Sequence, residues 1–406
     1  MILFKDAQSI IIEKIRPILD EQRVNLLESI GYVLAHPLKA SFDQPPFSNS
    51  AMDGFAVAYG DVHEASPSHP IELKVASFQS AGSTFCKLSP KKAIEIATGA
   101  PLPEGCDAVI KKEDVMIEHQ KIIISRQVKH SENIRRQGED VQAGHILLDE
   151  GQSLLAKHMG MLASAGISEL CVYRKPHAFY IATGDEIVEL GKDRLSHQVY
   201  NSNAISLRAL FEKSGCEFQD LGIVKDGCYE LMAKIQNALS QKPDLLILTG
   251  GVSVGRHDYV KEALGALGAE ILFHKVNIKP GKPLLFAKLD NTFIFGLPGN
   301  PLSSQVGFYE FILPALRKMR GDKHLFLKEK QAELINEIRS EERHKFVVGF
   351  EKDENGKTYV EAFKEGSGNV ALFARGNCFI SIPPGCKKFK AGERVTIQPY
   401  EEGIWN

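Results

Sequence analysis

The spacing of apolar positions changes character several times along the chain, and each change predicts a different kind of element. Residues 1 to about 42 read as helical, because Ile11, Ile12, Ile15, Ile18 and Leu19 recur at helix-like intervals; Pro17 is expected to kink or end the first segment. From about 43 to 144 the pattern shortens to β-branched runs and turns, as in Ile94-Glu-Ile-Ala97 and Ile122-Ile-Ile-Ser125. Helical spacing returns at Leu154, Leu155, Met159 and Leu162, with Gly166 placed as a C-cap. If this piece packs with the first, the β-rich stretch is an insertion; the residues alone leave that open.

From about residue 175 strand and helix alternate. His177-Ala-Phe-Tyr-Ile-Ala182 is a candidate strand, and a helix is expected from Asn203 through Lys213 with Gly215 as its stop. Further strands are expected over 217–224, 245–248 and 292–295. This alternation predicts βαβ units, hence a doubly wound parallel sheet with helices on both faces. In such sheets ligands bind outside the carboxyl ends of the strands. Beyond about 327 the pattern is β again, with Asn355-Gly356 marking a hairpin inside a small sandwich or barrel that carries no evident chemistry. The fold class is therefore α/β and multidomain.

Composition narrows the function. Of the 406 residues, 43% are apolar and 25% charged, as in an ordinary soluble protein, and the net charge of −2 argues against a large nucleic-acid-binding surface. No apolar run is long enough to span a bilayer, and Met1-Ile-Leu-Phe-Lys-Asp6 lacks a signal-peptide pattern, so a cytoplasmic location is expected. The seven cysteines are scattered and never spaced Cys-x-x-Cys, which predicts reduced thiols and no structural zinc site.

The chemistry concentrates in the second half. Residues 245–255 read as a buried strand opening into Gly250-Gly-Val-Ser253-Val-Gly255, with Asp258, Lys275, Lys279 and Lys282 close behind. Glycines past a strand let bare backbone N–H groups approach an anion, and lysines add charge, so a phosphate or oxyanion site is expected. A second loop, Gly296-Leu-Pro-Gly-Asn-Pro-Leu-Ser-Ser304, places Asn300 and Pro301 at the start of a helix, with Ser303 and Ser304 as hydroxyl donors. Asp185, Glu186, Asp226 and Asp258 fall at the same predicted sheet edge. Each also suits a helix cap or a surface acid, but carboxylates beside a phosphorylated ligand favour an intervening Mg²⁺. Phe47-Ser-Asn-Ser-Ala-Met-Asp-Gly-Phe-Ala56 and Arg135-Arg-Gln-Gly-Glu-Asp140 read in isolation as turns.

Taken together, these strings resemble the molybdopterin molybdenumtransferases, the family that includes the molybdenum insertase domain of gephyrin. The similarity also runs through Ala97-Thr-Gly-Ala-Pro-Leu-Pro-Glu-Gly-Cys-Asp-Ala108, Ala182-Thr-Gly-Asp-Glu186 and Ile278-Lys-Pro-Gly-Lys-Pro283, in order from about residue 4 to the C-terminus. The resemblance implies an elongated homodimer of four-domain chains. These would be a helical domain split over 1–42 and 145–174, an inserted β-rich domain over 43–144, a molybdopterin-binding α/β domain over 175–326 and a β-barrel over 327–406. It implies an active site in a cleft between the α/β domain and the partner's inserted domain. The implied substrates are molybdate and adenylylated molybdopterin, with Mg²⁺, AMP release and active cofactor as the outcome. Contacts with the molybdopterin adenylyltransferase and with molybdoenzyme acceptors are expected, and none with nucleic acid or membrane.

By the same resemblance, Glu186, Asp226 and Asp258 serve catalysis and metal binding, Lys275 and Lys279 bind oxyanion, and Asp53 and Asp140 come from the partner. Thr98, Thr249, Gly250, Gly251, Ser253 and Gly255 are expected to line the cofactor cleft. So are Lys282 and the second-loop residues Pro298, Gly299, Asn300, Pro301 and Ser303. Two departures from the family pattern stand out: Thr249 replaces a common serine, and Tyr200-Asn-Ser-Asn203 lacks an acid at position 201. A single-domain adenylyltransferase and a non-enzymatic scaffold are the rivals. The flanking domains oppose the first and the retained acids the second, and a generic nucleotide site lacks its Walker string.

Overall fold

A computed structural model describes residues 1–252, 258–363, 370–385 and 388–400. Within the first 42 residues only Phe4–Lys14 is α-helical, a correction to the helical reading of that stretch. Ile15 is already extended, two residues ahead of Pro17, which has no N–H to carry the helix on. Glu21–Asn25, Val33–Leu34 and Leu38–Lys39 are strands instead. Nor does this helix pack with the later one, Ala156–Ser164. It buries Phe4, Ala7 and Ile11 in the core of the α/β module, beside Phe311 and Leu316. Leu162 of the later helix belongs to a separate cluster with Leu34, Leu154 and Val172. What joins the two chain segments is a sheet: Glu169–Tyr173 pairs antiparallel with both Glu21–Asn25 and Val33–Leu34. The split unit is thus mixed α/β rather than helical. Between its halves, a six-stranded sheet forms with its own core of Phe55, Leu73, Ile110 and Ile122.

The α/β module carries a six-stranded sheet in the order Glu217–Val224, His177–Thr183, Leu245–Thr249, Thr292–Leu297, Leu285–Leu289, Glu270–His274. The first four are mutually parallel. The last two attach antiparallel, so the sheet is mixed at that edge. The cause is the connection from Leu289 to Thr292, which is far too short for a parallel crossover. Alternation along one strand sends Tyr180 and Ala182 to a layer with Leu207 and Phe211, and Phe179 and Ile181 to a layer with Leu231, Ile235 and Leu264. Leu245–Thr249 is buried at every position, as a strand covered on both faces must be.

A long helical rod over residues 301–320 closes one layer and contains a π-turn at Phe308–Ile312. Beyond it, five strands (Lys330–Leu334, His344–Glu354, Lys357–Ala362, Cys378–Ile382 and Arg394–Pro399) close into a barrel, since the first-to-last pairing of His344–Glu354 with Cys378–Ile382 completes the ring. The hairpin turn at Asn355 and Gly356 has positive φ at both residues, as a tight hairpin needs. Ile278–Lys279 leaves the α/β module and pairs parallel with His344 and Lys345 on the barrel. No described helix is long and apolar enough to cross a membrane.

The π-turn faces Glu310 into the junction of N-terminal helix, rod and barrel. Gln8 donates from Nε2 to the Glu310 carbonyl (2.9 Å) and to Oε2 (3.3 Å). Burial pushes this carboxyl from its ordinary 4.5 up to about 8, against the pull of nearby Lys5. A folded state that holds its proton more tightly loses stability as pH rises through the window from 4.5 to about 8. Glu310→Gln is therefore expected to match the parent near pH 4.5 and to become progressively the more stable of the two toward pH 8. Denaturant midpoints across that range test this; a difference that does not grow with pH would contradict it.

Candidate active site

The four parallel strands end at Thr183, Val224, Thr249 and Leu297 on one edge, and each feeds a loop that carries predicted site residues. Gly250 has φ 86° and Gly251 φ 61°. A Cβ on Gly250 would lie 2.1 Å from the Thr183 carbonyl oxygen, so the loop passes hard against its neighbour and only glycine fits. The second loop lies against it: a Cβ on Gly299 would sit 3.7 Å from Gly250 Cα. Asn203 Nδ2 donates to the Gly299 carbonyl at 2.8 Å. The two loops, with Pro298 buried and Asn300 and Pro301 opening the rod, thus form one floor. Thr249, expected to offer its hydroxyl to an anion, turns it inward instead. Its Oγ1 is 2.6 Å from Tyr180 Oη, which also donates to Asn201 Oδ1 at 3.2 Å. Asn201 Oδ1 in turn caps the Ser202–Lys213 helix, accepting from Ala204 N. The position that lacks the acid therefore anchors the floor.

The acids stand around this floor. Asp226 Oδ1 accepts from Thr183 Oγ1 at 2.8 Å, and its N–H donates to Asp185 Oδ1 at 3.2 Å. Glu186 folds over Gly184, where a Cβ would meet its Oε2 at 2.7 Å. Asp258 caps the Tyr259–Ala266 helix through Lys261 N, and its Oδ2 lies 3.4 Å from His274 Nε2. Burial shifts the His274 imidazole down, toward the neutral form, against the opposing pull of Asp258. Glu186, Asp226 and Asp258 do not converge closely enough to clasp one ion by themselves. Mg²⁺ typically keeps waters and takes one or two carboxylates plus substrate phosphates, so the exposed Glu186 and Asp226 and the partly buried Asp258 still fit it. Ser253 and Gly255 lie outside the described residues.

The lysines flank the floor on the barrel side. Lys275 follows the Glu270–His274 strand with φ 72°, its N–H donating to Leu284 O and its carbonyl accepting from Ile2 N. Lys279 sits in the two residues shared with the barrel, and its Nζ pairs with Glu341. Lys279, Lys282, Ser303, Arg343 and Lys345 line a cavity of about 480 Å³. Arg343 and Lys345 also approach Glu341, at 4.0 and 3.8 Å. Three cations thus approach one acid and Lys282 lines the same cavity; Arg343 and Lys345 come from the barrel, which had seemed devoid of chemistry.

A second cluster forms in the inserted region. Asn49–Ser50 pairs with Ile134–Arg135, and Ser50 exchanges backbone hydrogen bonds with Gly99 and Ala100. Asp53 Oδ1 accepts from Thr98 N (2.7 Å) and Oγ1 (3.0 Å), which holds its carboxyl below the usual range. Asp140 pairs with Arg135 at 2.5 Å. Three strings distant in sequence therefore make one exposed corner. The hydrogen bonds and ion pairs just given for Asp53, Thr98 and Asp140 stay inside this region.

Family models match three consecutive parts of the chain: the MoeA N-terminal region (domains I and II) over 2–166, a probable molybdopterin binding domain over 179–318, and the MoeA C-terminal region (domain IV) over 331–400. A molybdopterin molybdenumtransferase of Haemophilus influenzae is 38% identical over 98% of this chain and 99% of its own. The chain belongs to the molybdopterin molybdenumtransferase (MoeA) family. A relative of the same name in Staphylococcus epidermidis is 34% identical over 92% of this chain and 90% of its own. The crystal structure of a MoeA protein from Pyrococcus horikoshii superposes with a TM-score of 0.82 at 30% identity, covering 98% of this chain and 100% of that one. As a MoeA family member the chain is an enzyme, a transferase of molybdenum cofactor biosynthesis. Reading its sequence missed His274, Arg343 and Lys345. The first was legible as the last residue of a strand at the ligand edge. The other two look like any surface cation until Ile278–Lys279 docks on their strand.

Gly250→Ala is expected to cost about 1–2 kcal/mol for the left-handed backbone alone, and more for the clash with Thr183. An unchanged thermal midpoint in this variant would mean that the loop does not press on its neighbour.

Proposed function

We propose that this enzyme inserts molybdate into adenylylated molybdopterin, with Mg²⁺-dependent hydrolysis of the pyrophosphate and release of AMP. The observation that carries the reading is the cation-rich cavity beside the glycine floor: Lys279, Lys282, Arg343 and Lys345 line it, and three of them, Lys279, Arg343 and Lys345, lie within ion-pair distance of Glu341. Molybdate is a tetrahedral dianion, and such an excess of positive charge in a partly enclosed site suits it. Lys279 would exchange Glu341 for substrate, so the acid keeps the lysine placed until the oxyanion arrives. Gly250, Gly251 and Gly299 carry no side chains of their own, so the pterin phosphates would lie on bare backbone. One or two of Glu186, Asp226 and Asp258, with substrate phosphates and water, would hold Mg²⁺, which when bound would screen the phosphoanhydride charge. Asp258, set beside the neutral imidazole of His274, is placed to orient the attacking water. The dithiolene sulfurs belong to the substrate, so no cysteine of the chain is needed.

The reading extends to a cytoplasmic homodimer in which Asp53, Thr98 and Asp140 of one subunit face the sheet edge of the other. Substrate would arrive from the molybdopterin adenylyltransferase, and product would leave to molybdoenzyme acceptors. Purified protein given adenylylated molybdopterin, molybdate and Mg²⁺ should release AMP and reconstitute an apo-molybdoenzyme. Asp258→Ala and Lys279→Ala should each lower that rate by about 10²–10³-fold without unfolding the chain. Wild-type rates in either would remove that residue from the mechanism. Mixing Asp53→Asn and Asp258→Asn subunits tests the shared site. Random re-pairing should restore about one quarter of parental activity, because heterodimers carry one intact site. Dimeric mixtures that stay inactive would place each site within one chain.

A further inference from the structure

On the outer face of the three-stranded sheet of the split unit, on a different sheet from the glycine floor, three different donor types meet. His36 Nε2 lies 3.0 Å from Glu21 Oε2, and Cys171 Sγ lies 3.3 Å from the same oxygen. All three donor atoms fall within 4.8 Å of one another. We propose that Glu21, His36 and Cys171 form a binding site for a borderline transition-metal dication such as Zn²⁺, with a fourth position open to water.

The backbone places these groups. In the antiparallel ladder Glu21 faces Tyr173 and Arg23 faces Cys171, so Glu21, Arg23, Cys171 and Tyr173 share one face. Val24, Leu170 and Val172 take the other face, in the core. Ala35 N donates to the Cys171 carbonyl at 3.0 Å, which brings His36 alongside. Glu21 and Cys171 are thus diagonal neighbours on a hydrogen-bonded ladder, although 150 positions apart in the chain.

The dimensions suit a metal. Tetrahedral zinc bonds to oxygen and nitrogen at about 2.0–2.1 Å and to sulfur at about 2.3 Å, so adjacent ligand atoms stand about 3.3–3.5 Å apart. The two observed separations would open by only a few tenths of an ångström. A thiolate and an imidazole select zinc-like ions over Mg²⁺, which prefers oxygen alone. One carboxylate and one thiolate would neutralise the dication, and binding would displace the thiol proton. The side chains of His36 and Glu21 are 61% and 43% exposed, so water can reach the remaining position. A plain surface ion pair would account for His36 and Glu21 only, whereas the Cys171 thiol is turned to the same carboxylate oxygen. Scattered donors of this kind escape a search for Cys-x-x-Cys spacing, which is why no such site was expected from sequence.

A metal here would staple the two segments that flank the inserted region, closing a long loop and stabilising the split unit. Titration of the full-length, reduced protein with Zn²⁺ should show one ion bound per chain and a raised thermal midpoint. Co²⁺ should give a near-ultraviolet sulfur-to-metal band. Cys171→Ser should abolish that band, and His36→Ala, on the exposed rim, should weaken Zn²⁺ binding at least tenfold. Mg²⁺ should have no effect on the midpoint through this site. The proposal is overturned if the cobalt band is absent, if it persists in Cys171→Ser, or if His36→Ala binds Zn²⁺ as the parent does.

Discussion

Two-sided burial of the Leu245–Thr249 strand is the constraint on which the rest of the molecule depends. With every position of that strand enclosed, neither face of the sheet can hold a ligand. Only the edge where the strands run out is available, and there the backbone must turn sharply while still touching its neighbours. That is why Gly250 presses on Thr183, why Gly299 lies against Gly250, and why polar anchors such as Tyr180, Asn201 and Asn203 lie just beneath. The floor is a by-product of closing the sheet, and the acids and lysines are arranged around it.

The electrostatics divide accordingly. Carboxylates rise from the loops after the parallel strands, where they are exposed and separately held. Cations collect on the opposite side, where the Lys279 segment joins the barrel. A multiply charged substrate laid across the floor would meet a cation-rich pocket at one end and oxygen donors at the other. That separation would let one site hold an oxyanion and a hydrated dication without either neutralising the other's ligands.

What could be read from the sequence was what depends on near neighbours. The enclosed strand, the glycine loops, the helix opening at Asn300 and Pro301, and the Asn355-Gly356 hairpin are all local patterns. Pairings that depend on distant segments were not legible. The apolar stripe of the first helix says that it is buried, but not that its partner is the rod rather than Ala156–Ser164. Thr249 looks like a ligand hydroxyl until Tyr180 is seen beneath it. Arg343 and Lys345 carry no local mark of function, and Glu310 becomes a buried acid only because a π-turn rotates it inward. The antiparallel edge follows from one short connection between two strands that individually suit either direction.

The Ile278–Lys279 pairing with the barrel also bears on how this protein can change. Because the barrel lends a strand partner to the very residues that present a lysine to the pocket, the two modules cannot drift independently. Insertions or recombination at the junction after the rod would shift the register of Lys279 against Lys345 and dismantle the cationic wall. Modularity is therefore expected to be preserved elsewhere, at the seams of the inserted region, while this one seam is locked by shared hydrogen bonding.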